Sequence, residues 1–552
     1  MRVAFVFFTD PPRAFSSSVA QLSAVARAAG HDVCAIELGR RGRIVDAARR
    51  VEATDADVIA VSAMTRDWPR AAGLLRELSS EAFVVVGGYH ASLAPRDVAA
   101  CARVDAICVG EGERPLARLL ERLSRGDAGE SFPGLWIRGE GGFEGAPPPA
   151  DPEPDIDALP RWDYEVFGDV REILGRGINT FGPHVDGYLP TRASRGCPFT
   201  CAYCSAPRWG ELLGLRRAPM KNVRSVEALC DELADLGARY APEGFELWDE
   251  HFPIDLGWLR ELADVYPRRV GLPFKVEMHP NAASRARLEL LVEAGCVLFH
   301  CGVEAGDEPL RREVLNRRSP DARLERLFED CRELGLPTSA SLMTMLPTET
   351  RAQAASTVSL LKKLRPGSII WSTYQPLPGT ALGDAAVHAW PGPAGETFDD
   401  HGDAISRLPP RVTELERRET FRELAALQDQ LVRVAGDAPA RPLDRPSAPC
   451  PPSAPLLAHL ALPPDVEART ASWQDDALVI ALRAPAIGDR EIVLAPLAEG
   501  RRHYRESTHL GLSYRGQDAP PELLALLDAL AVTLHDVSLA GLSRASASQI
   551  LG

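Results

Sequence analysis

Between residues 195 and 204 the chain reads Arg195-Gly196-Cys197-Pro198-Phe199-Thr200-Cys201-Ala202-Tyr203-Cys204, and this C-x-x-x-C-x-x-C spacing constrains the segment strongly. It follows a short β-like run, residues 190–194, and sits on a turn containing Gly196 and Pro198. Thiolates are soft ligands that suit iron–sulfur clusters or zinc. A four-iron cluster usually takes four cysteines, yet only three are local here and no partner CxxC pair follows. A zinc ribbon or knuckle needs a fourth Cys or His at short range, and none follows the motif before Cys230. The simplest reading is a cluster with three irons tied to protein and one open to an exogenous ligand. Zinc, or a chance grouping of core cysteines, is the plainer alternative.

The rest of the composition narrows the class. A chain of 552 residues suggests three or four domains, and 45% hydrophobic content suffices for sizeable cores. The net charge of −15 offers no general basic surface, so a nucleic-acid partner is not expected. There are 11 cysteines, and those outside the motif lack regular spacing. They read as reduced core residues of a cytoplasmic protein, not as a disulfide framework. The N-terminal run 1–8 is too short for a signal segment and reads as a first strand that breaks at Asp10-Pro11-Pro12. No apolar run reaches the length of a membrane span, so no membrane partner is expected.

Residues 1–135 alternate apolar strand-like runs (3–8, 32–38, 58–63, 83–87, 106–109) with amphipathic segments such as 17–29 and 69–79. That alternation predicts an α/β, doubly wound parallel sheet. Such sheets bind ligands beyond the carboxyl ends of their strands. The loops there carry Thr9 and Asp10; Ser62, Met64 and Thr65; Gly87, Gly88, Tyr89 and His90; and Gly110, Glu111, Gly112 and Glu113. No G-x-G-x-x-G follows the first strand, which argues against a dinucleotide site.

Residues 136–189 read as a linker, rich in Gly, Pro and acid at 139–154. A second βα alternation fills 190–385, with strands expected near 191–194, 244–248, 274–278, 297–303, 338–343 and 369–374. Helices are expected at 225–236, 284–294 and 322–334. Six units imply a partial (β/α)6 barrel, whose chemistry gathers at the carboxyl ends of the strands. A charged amphipathic helix at 414–434 is expected within an extension 386–437. A Pro-rich linker follows at 438–464, then a small α+β module at 465–552. That module should hold strands near 477–483, 491–497 and 509–514 and a helix at 521–534.

RGCPFTCAYC resembles the cluster motif of radical S-adenosylmethionine (SAM) enzymes, and VVVGGYHAS followed by CVGEGE resembles the cobalamin-binding domain that precedes many of them. Further matches fall in order at strand ends. Trp248-Asp249-Glu250-His251-Phe252 is similar to an Asp-Asp-Asn-Phe element, and Gly302-Val303-Glu304 to a G-x-E element. Met345-Leu346-Pro347-Thr348-Glu349-Thr350 is similar to G-x-P-x-E-T, with Met345 in place of glycine. Pro376-Leu377-Pro378-Gly379-Thr380 is similar to P-x-P-G-T. The resemblance spans about residues 1–385. It implies a [4Fe-4S] cluster on Cys197, Cys201 and Cys204, and SAM contacts at Tyr203, Asp249, Glu250, Glu304, Pro347 and Pro378. It implies cobalamin contacts at the thirteen loop residues from Thr9 to Glu113 named above. Family members often carry D-x-H-x-x-G, whose histidine meets cobalt; none is present here, which implies cobalamin held without a histidine beneath the metal. For His90, a hydrogen-bonding role in the loop stands beside cobalt contact.

The chemistry implied is reductive cleavage of SAM to a 5′-deoxyadenosyl radical, hydrogen abstraction from an unactivated carbon, and methyl transfer from methylcobalamin to a small-molecule or peptide substrate in natural-product biosynthesis. The electron comes from an external donor such as flavodoxin or ferredoxin. A rearrangement or cyclisation without net methylation is the second expectation. A catalytically idle cobalamin sensor, and a zinc protein with a Rossmann domain, are the readings from other classes.

Overall fold

The computed structural model of the chain describes residues 1–9, 15–39, 43–143, 148–149, 155–175, 187–214 and 222–389. It also describes a few helical positions between 420 and 427 and five strands between 467 and 514. The chain divides into two units, Met1–Leu424 and Ala425–Gly552.

The first unit holds two parallel sheets. One is built from β1 (Arg2–Thr9), β2 (Asp32–Gly39), β3 (Val58–Ser62), β4 (Phe83–Gly87), β5 (Ala106–Cys108) and β6 (Leu135–Ile137), in the order β2-β1-β3-β4-β5-β6. The first five strands run parallel, and β6 closes the edge antiparallel to β5. Both faces are buried, as near-continuous apolar strands require. Val3, Phe5 and Phe7 pack into one core, and Ala4, Val6 and Phe8 into the other. The strand order reverses between β2 and β3, across β1, so the open crevice of the sheet lies at the ends of β1 and β3. Strand boundaries fall within about a residue of those the periodicity predicts; β6 was not expected, because three residues leave no period to read.

The second sheet runs β14-β13-β12-β11-β10-β7, six parallel strands in consecutive order. They are β7 (Tyr188–Thr191), β10 (Gly244–Leu247), β11 (Phe274–Glu277), β12 (Cys296–Glu304), β13 (Thr338–Thr344) and β14 (Ser368–Thr373); a short ribbon of β8 (Ser194–Arg195) and β9 (Asn222–Val223) stands beside them. The helices Val226–Tyr240, Leu256–Arg269, Arg285–Ala294, Asp321–Glu333 and Arg351–Leu364 follow the pattern of a partial barrel. The first barrel strand lies earlier than expected at 191–194. Pro190 falls inside β7, which is tolerated because β7 is an edge strand and needs no ladder donor on its outer side. The chain then leaves the ladder at Arg192 and Ala193.

In the second unit, β15 (Glu467–Gln474), β16 (Ala477–Ala484), β17 (Gly488–Pro496), β18 (Arg505–Ser507) and β19 (Leu510–Tyr514) form an antiparallel sheet in the order β15-β16-β17-β19-β18. Strands β15 and β18 add to the three expected. The expected linker 438–464 and helix 521–534 lie outside the described residues, as does most of the helix expected at 414–434.

Candidate functional site

The cysteine loop leaves β8 and enters the helix Ser205–Leu212. Its backbone is tied to the barrel mouth: Ala202 N–H donates to Leu315 O at 2.9 Å, and Leu382 N–H donates to Ala202 O at 2.9 Å. Asn316 Nδ2 donates to Thr200 O at 2.7 Å. Phe199 stacks on His279 with ring centroids 3.7 Å apart, and His251 lies 5.2 Å away. Cys201 is buried and Cys197 and Cys204 are half-buried, all three as free thiols. Burial pushes the Cys197 thiol up to about 12 and that of Cys204 up to about 11; the neighbouring cysteine sulfurs add to both shifts. Thiolates crowded in this way call for a cationic centre, and three sulfurs with no histidine among them suit iron–sulfur chemistry. Among the described residues no three His, Cys, Asp or Glu side chains converge to hold one metal ion.

Beside the loop stands a buried polar network. Tyr203 Oη donates to Glu304 Oε1 at 2.9 Å, and Arg317 Nη1 donates to Tyr203 Oη at 3.1 Å. Arg317 Nη1 also reaches Cys201 Sγ at 3.4 Å, and Arg317 Nη2 lies 3.8 Å from Glu304 Oε1. Burial raises the Glu304 carboxyl, opposed by Arg317 and by the Tyr203 hydrogen bond. Glu304 ends β12 at φ +70°, and a Cβ on Gly302 would stand 1.9 Å from its Oε1. The glycine of the G-x-E element therefore makes room for the carboxylate two residues on.

The other expected SAM contacts divide. Asp249 is committed to the chain: Ser194 N–H and Oγ donate to its Oδ1, the latter at 2.6 Å, and Ala193 N–H donates to Oδ2 at 3.3 Å. Glu250 accepts from Gly196 N–H at 3.1 Å and pairs with Arg192 at 3.7 Å. Pro347 is buried in the turn after β13, and Pro378 is half-buried after β14. Met345 opens the first of these turns at φ +60°, the backbone region that favours glycine. The turn is held by Glu349, which accepts from Leu346 N–H at 3.1 Å.

Between the two parallel sheets lies a cavity of about 450 Å³. Of the expected cobalamin contacts, Thr9, Ser62, Met64, Gly87, Gly88, Tyr89, Gly110, Glu111, Gly112 and Glu113 line it. Asp10 lies outside the described residues. The opposite wall comes from the barrel side: Arg192, Arg195, Gly196, Cys197, Trp209 and Trp248. Its depth is apolar, with Phe5, Phe7, Val61, Val85, Leu116 and Leu135. Gly88 and Gly110 take φ +93° and +88°, and a Cβ at Gly88 would stand 2.8 Å from Ala63 O. The size, the close backbone and the apolar depth fit a large, flat cofactor. Tyr89 packs on Trp209 with centroids 5.0 Å apart.

Two residues of the expected set face elsewhere. His90 is buried against Trp68, centroids 5.2 Å apart, with its Nδ1 3.4 Å from Thr65 Oγ1. Burial pushes its imidazole down to about 4. Neither His90 nor Thr65 lines the cavity, and no histidine is among the described residues that do. What sequence reasoning missed is Arg195. It lies 3.3 Å from Glu111 Oε2 and 2.6 Å from Glu113 Oε1, a pairing across more than eighty residues that no local motif signals. Arg317 was missed for the same reason.

The sequence matches the radical SAM superfamily over residues 191–361 and the B12 binding domain over residues 13–120. Among curated proteins it is similar to an uncharacterized methyltransferase, PH0819, of Pyrococcus horikoshii, 24% identical over 370 residues that cover 65% of this chain and 75% of that one. It is also similar to the anaerobic magnesium-protoporphyrin IX monomethyl ester cyclase of Cereibacter sphaeroides, 27% identical over 351 residues covering 61% of this chain and 54% of the cyclase. The chain thus spans about half the length of that second relative. In fold it is similar to the radical S-adenosylmethionine methyltransferase TsrM of Kitasatospora setae, solved with tryptophan and a SAM analog (TM-score 0.59, 18% identity, 77% of this chain and 89% of that one). The two family matches fall on the two parallel sheets whose loops enclose the cavity. The chain belongs to the radical SAM superfamily, as an enzyme with a B12-binding domain ahead of its partial barrel, and its cofactors are a [4Fe-4S] cluster, S-adenosylmethionine and cobalamin.

Proposed function

We propose that this enzyme methylates an unactivated carbon of a small-molecule or peptide substrate in natural-product biosynthesis. The observation that carries the reading is the shared cavity: glycine-rich strand ends of the first sheet form one wall, and Gly196 and Cys197 of the cluster loop form part of the other. When bound, the cluster supplies the electron that splits SAM and cobalamin supplies the methyl group.

The chain's own residues do the rest. Cys197, Cys201 and Cys204 would hold the cluster. Glu304, oriented by Tyr203 and Arg317, accepts hydrogen bonds from SAM, since an ionised acceptor makes the stronger bond. Gly87, Gly88 and Gly110 would let the cobalamin lie close against backbone. Trp162, Trp209 and Trp248 line the same space and limit water there, which protects a reactive carbon centre. An external donor such as flavodoxin or ferredoxin supplies the electron. Asp249 is given a bracing role in place of SAM contact.

The similarity to a cyclase supports a second reading, ring formation without net methylation. Anaerobic reconstitution with cobalamin and methyl-labelled SAM separates the two. Label in the product supports methylation, whereas deoxyadenosine without label transfer supports cyclisation. Cys201→Ala is expected to abolish deoxyadenosine formation, and surviving turnover would overturn the assignment of the cluster ligands.

A further inference from the structure

The first sheet and the cluster loop meet at a buried ion pair. Arg195 stands two residues before Cys197, and Glu111 and Glu113 flank Gly112 in the loop after β5. Arg195 Nη1 is 3.3 Å from Glu111 Oε2, and Nη2 is 2.6 Å from Glu113 Oε1. Arg195 Nη2 also reaches Gln21 Oε1 at 3.4 Å. The arginine side chain is 13% exposed and both glutamates are 10% exposed. All three residues line the cavity.

We propose that Arg195 is a positioning residue whose fork, held between Glu111 and Glu113, fixes the separation of the cluster loop from the cobalamin wall. A guanidinium presents its donors in a rigid plane, so engaging two carboxylates sets angle as well as distance. The pair is shielded from solvent, so salt screens it little. Removing one partner strands a buried charge, which makes the joint stiff. The glutamates therefore serve the joint between the two sheets, not the cofactor itself. The joint is placed where a shift of one ångström matters most, because transfer between two reactants held at a distance depends steeply on alignment.

This inference rests on both cofactors occupying the shared cavity, but not on methylation being the outcome. The test is pulsed dipolar EPR on the full chain reconstituted with reduced cluster and cob(II)alamin. Wild-type protein is expected to give one narrow cobalt–cluster distance. Arg195→Gln is expected to broaden that distribution while iron and cobalamin contents stay at wild-type levels. The Glu111→Gln, Glu113→Gln double variant is expected to broaden it likewise, and Arg195→Lys, which keeps the charge without the fork, to fall between. Product formed per deoxyadenosine should drop about tenfold to a hundredfold in Arg195→Gln, the upper figure being the cost of a misplacement of about 1 Å. An unchanged narrow distance in these variants overturns the proposal. So does loss of cobalamin from the double variant, which would assign the carboxylates to the cofactor. A cyclase would show the same distance change without label transfer, so failure of the methylation reading is told apart from failure of this one.

Discussion

Asp249→Ala separates two roles for one carboxylate. In the structure it accepts three hydrogen bonds from Ala193 and Ser194, just ahead of the cluster loop, and both Asp249 and Ser194 are buried. Deleting it strands the two buried backbone N–H groups, each costing about 1–3 kcal/mol, while Ser194 Oγ keeps His251 O as an acceptor at 3.2 Å. Against that stands relief from burying charge. Burial pushes the carboxyl up to about 7 from 3.8, opposed by the Ser194 hydrogen bond and Arg192. A shift of about three units corresponds to about 4 kcal/mol at neutral pH. With a mid-range cost for each of the two donors, cost and relief nearly cancel at pH 7. The sign at lower pH follows from the raised value: the group contributes stability below 3.8 that is lost as pH rises through about 7. The variant's penalty should therefore be larger at pH 5, by about 2 kcal/mol. Anaerobic urea unfolding of the cofactor-free protein at both pH values measures this, and iron uptake by the variant should fall. An unchanged urea midpoint at pH 5 together with weaker SAM binding would refute the bracing role and restore Asp249 to the SAM site.

Glu304→Ala should weaken SAM binding by about tenfold or more, the loss of a charge-assisted hydrogen bond in a buried site; calorimetric titration reads it, and an unchanged affinity removes the assignment. Burial, with a contribution from Glu304, pushes the Glu277 carboxyl up to about 8 from 4.5. Because the folded value is the higher one, its contribution to stability is lost as pH rises toward 8, so the cofactor-free protein should be less stable at pH 8 than at pH 6. Glu277→Gln should flatten that slope in urea midpoints, and equal slopes would sink the account.

The fold was legible where periodicity is strong. Strands buried on both faces announce themselves as apolar runs, and β1 to β4 fall where those runs lie. Ten of the thirteen loop residues expected at the strand ends of the first sheet line the cavity. Where reading failed, the cause was long range or local exception. Pro190 inside an edge strand shifted the first barrel strand earlier than its β-like run suggested. His90 sits in a ligand-facing loop by sequence, yet the turn at Gly88 aims it at Trp68. Met345 replaces a family glycine, and the chain keeps the left-handed backbone there, a conformation that costs about 1–2 kcal/mol for a residue with a Cβ. Arg195 and Arg317 act on partners distant in sequence, and no pattern within a window of ordinary length pairs them.

The cavity between the two sheets has a thermodynamic consequence of its own. Its lining draws apolar side chains such as Phe5 and Val85 from one sheet and Trp248 from beside the other, and these flank a hollow. Whatever fills that hollow becomes part of the protein's interior, and its supply becomes a folding variable. At a free concentration a hundredfold above its Kd, such a molecule raises the stability of the native state by about 2.7 kcal/mol. Cells short of the vitamin should therefore accumulate less of this polypeptide, independent of any demand for its catalysis.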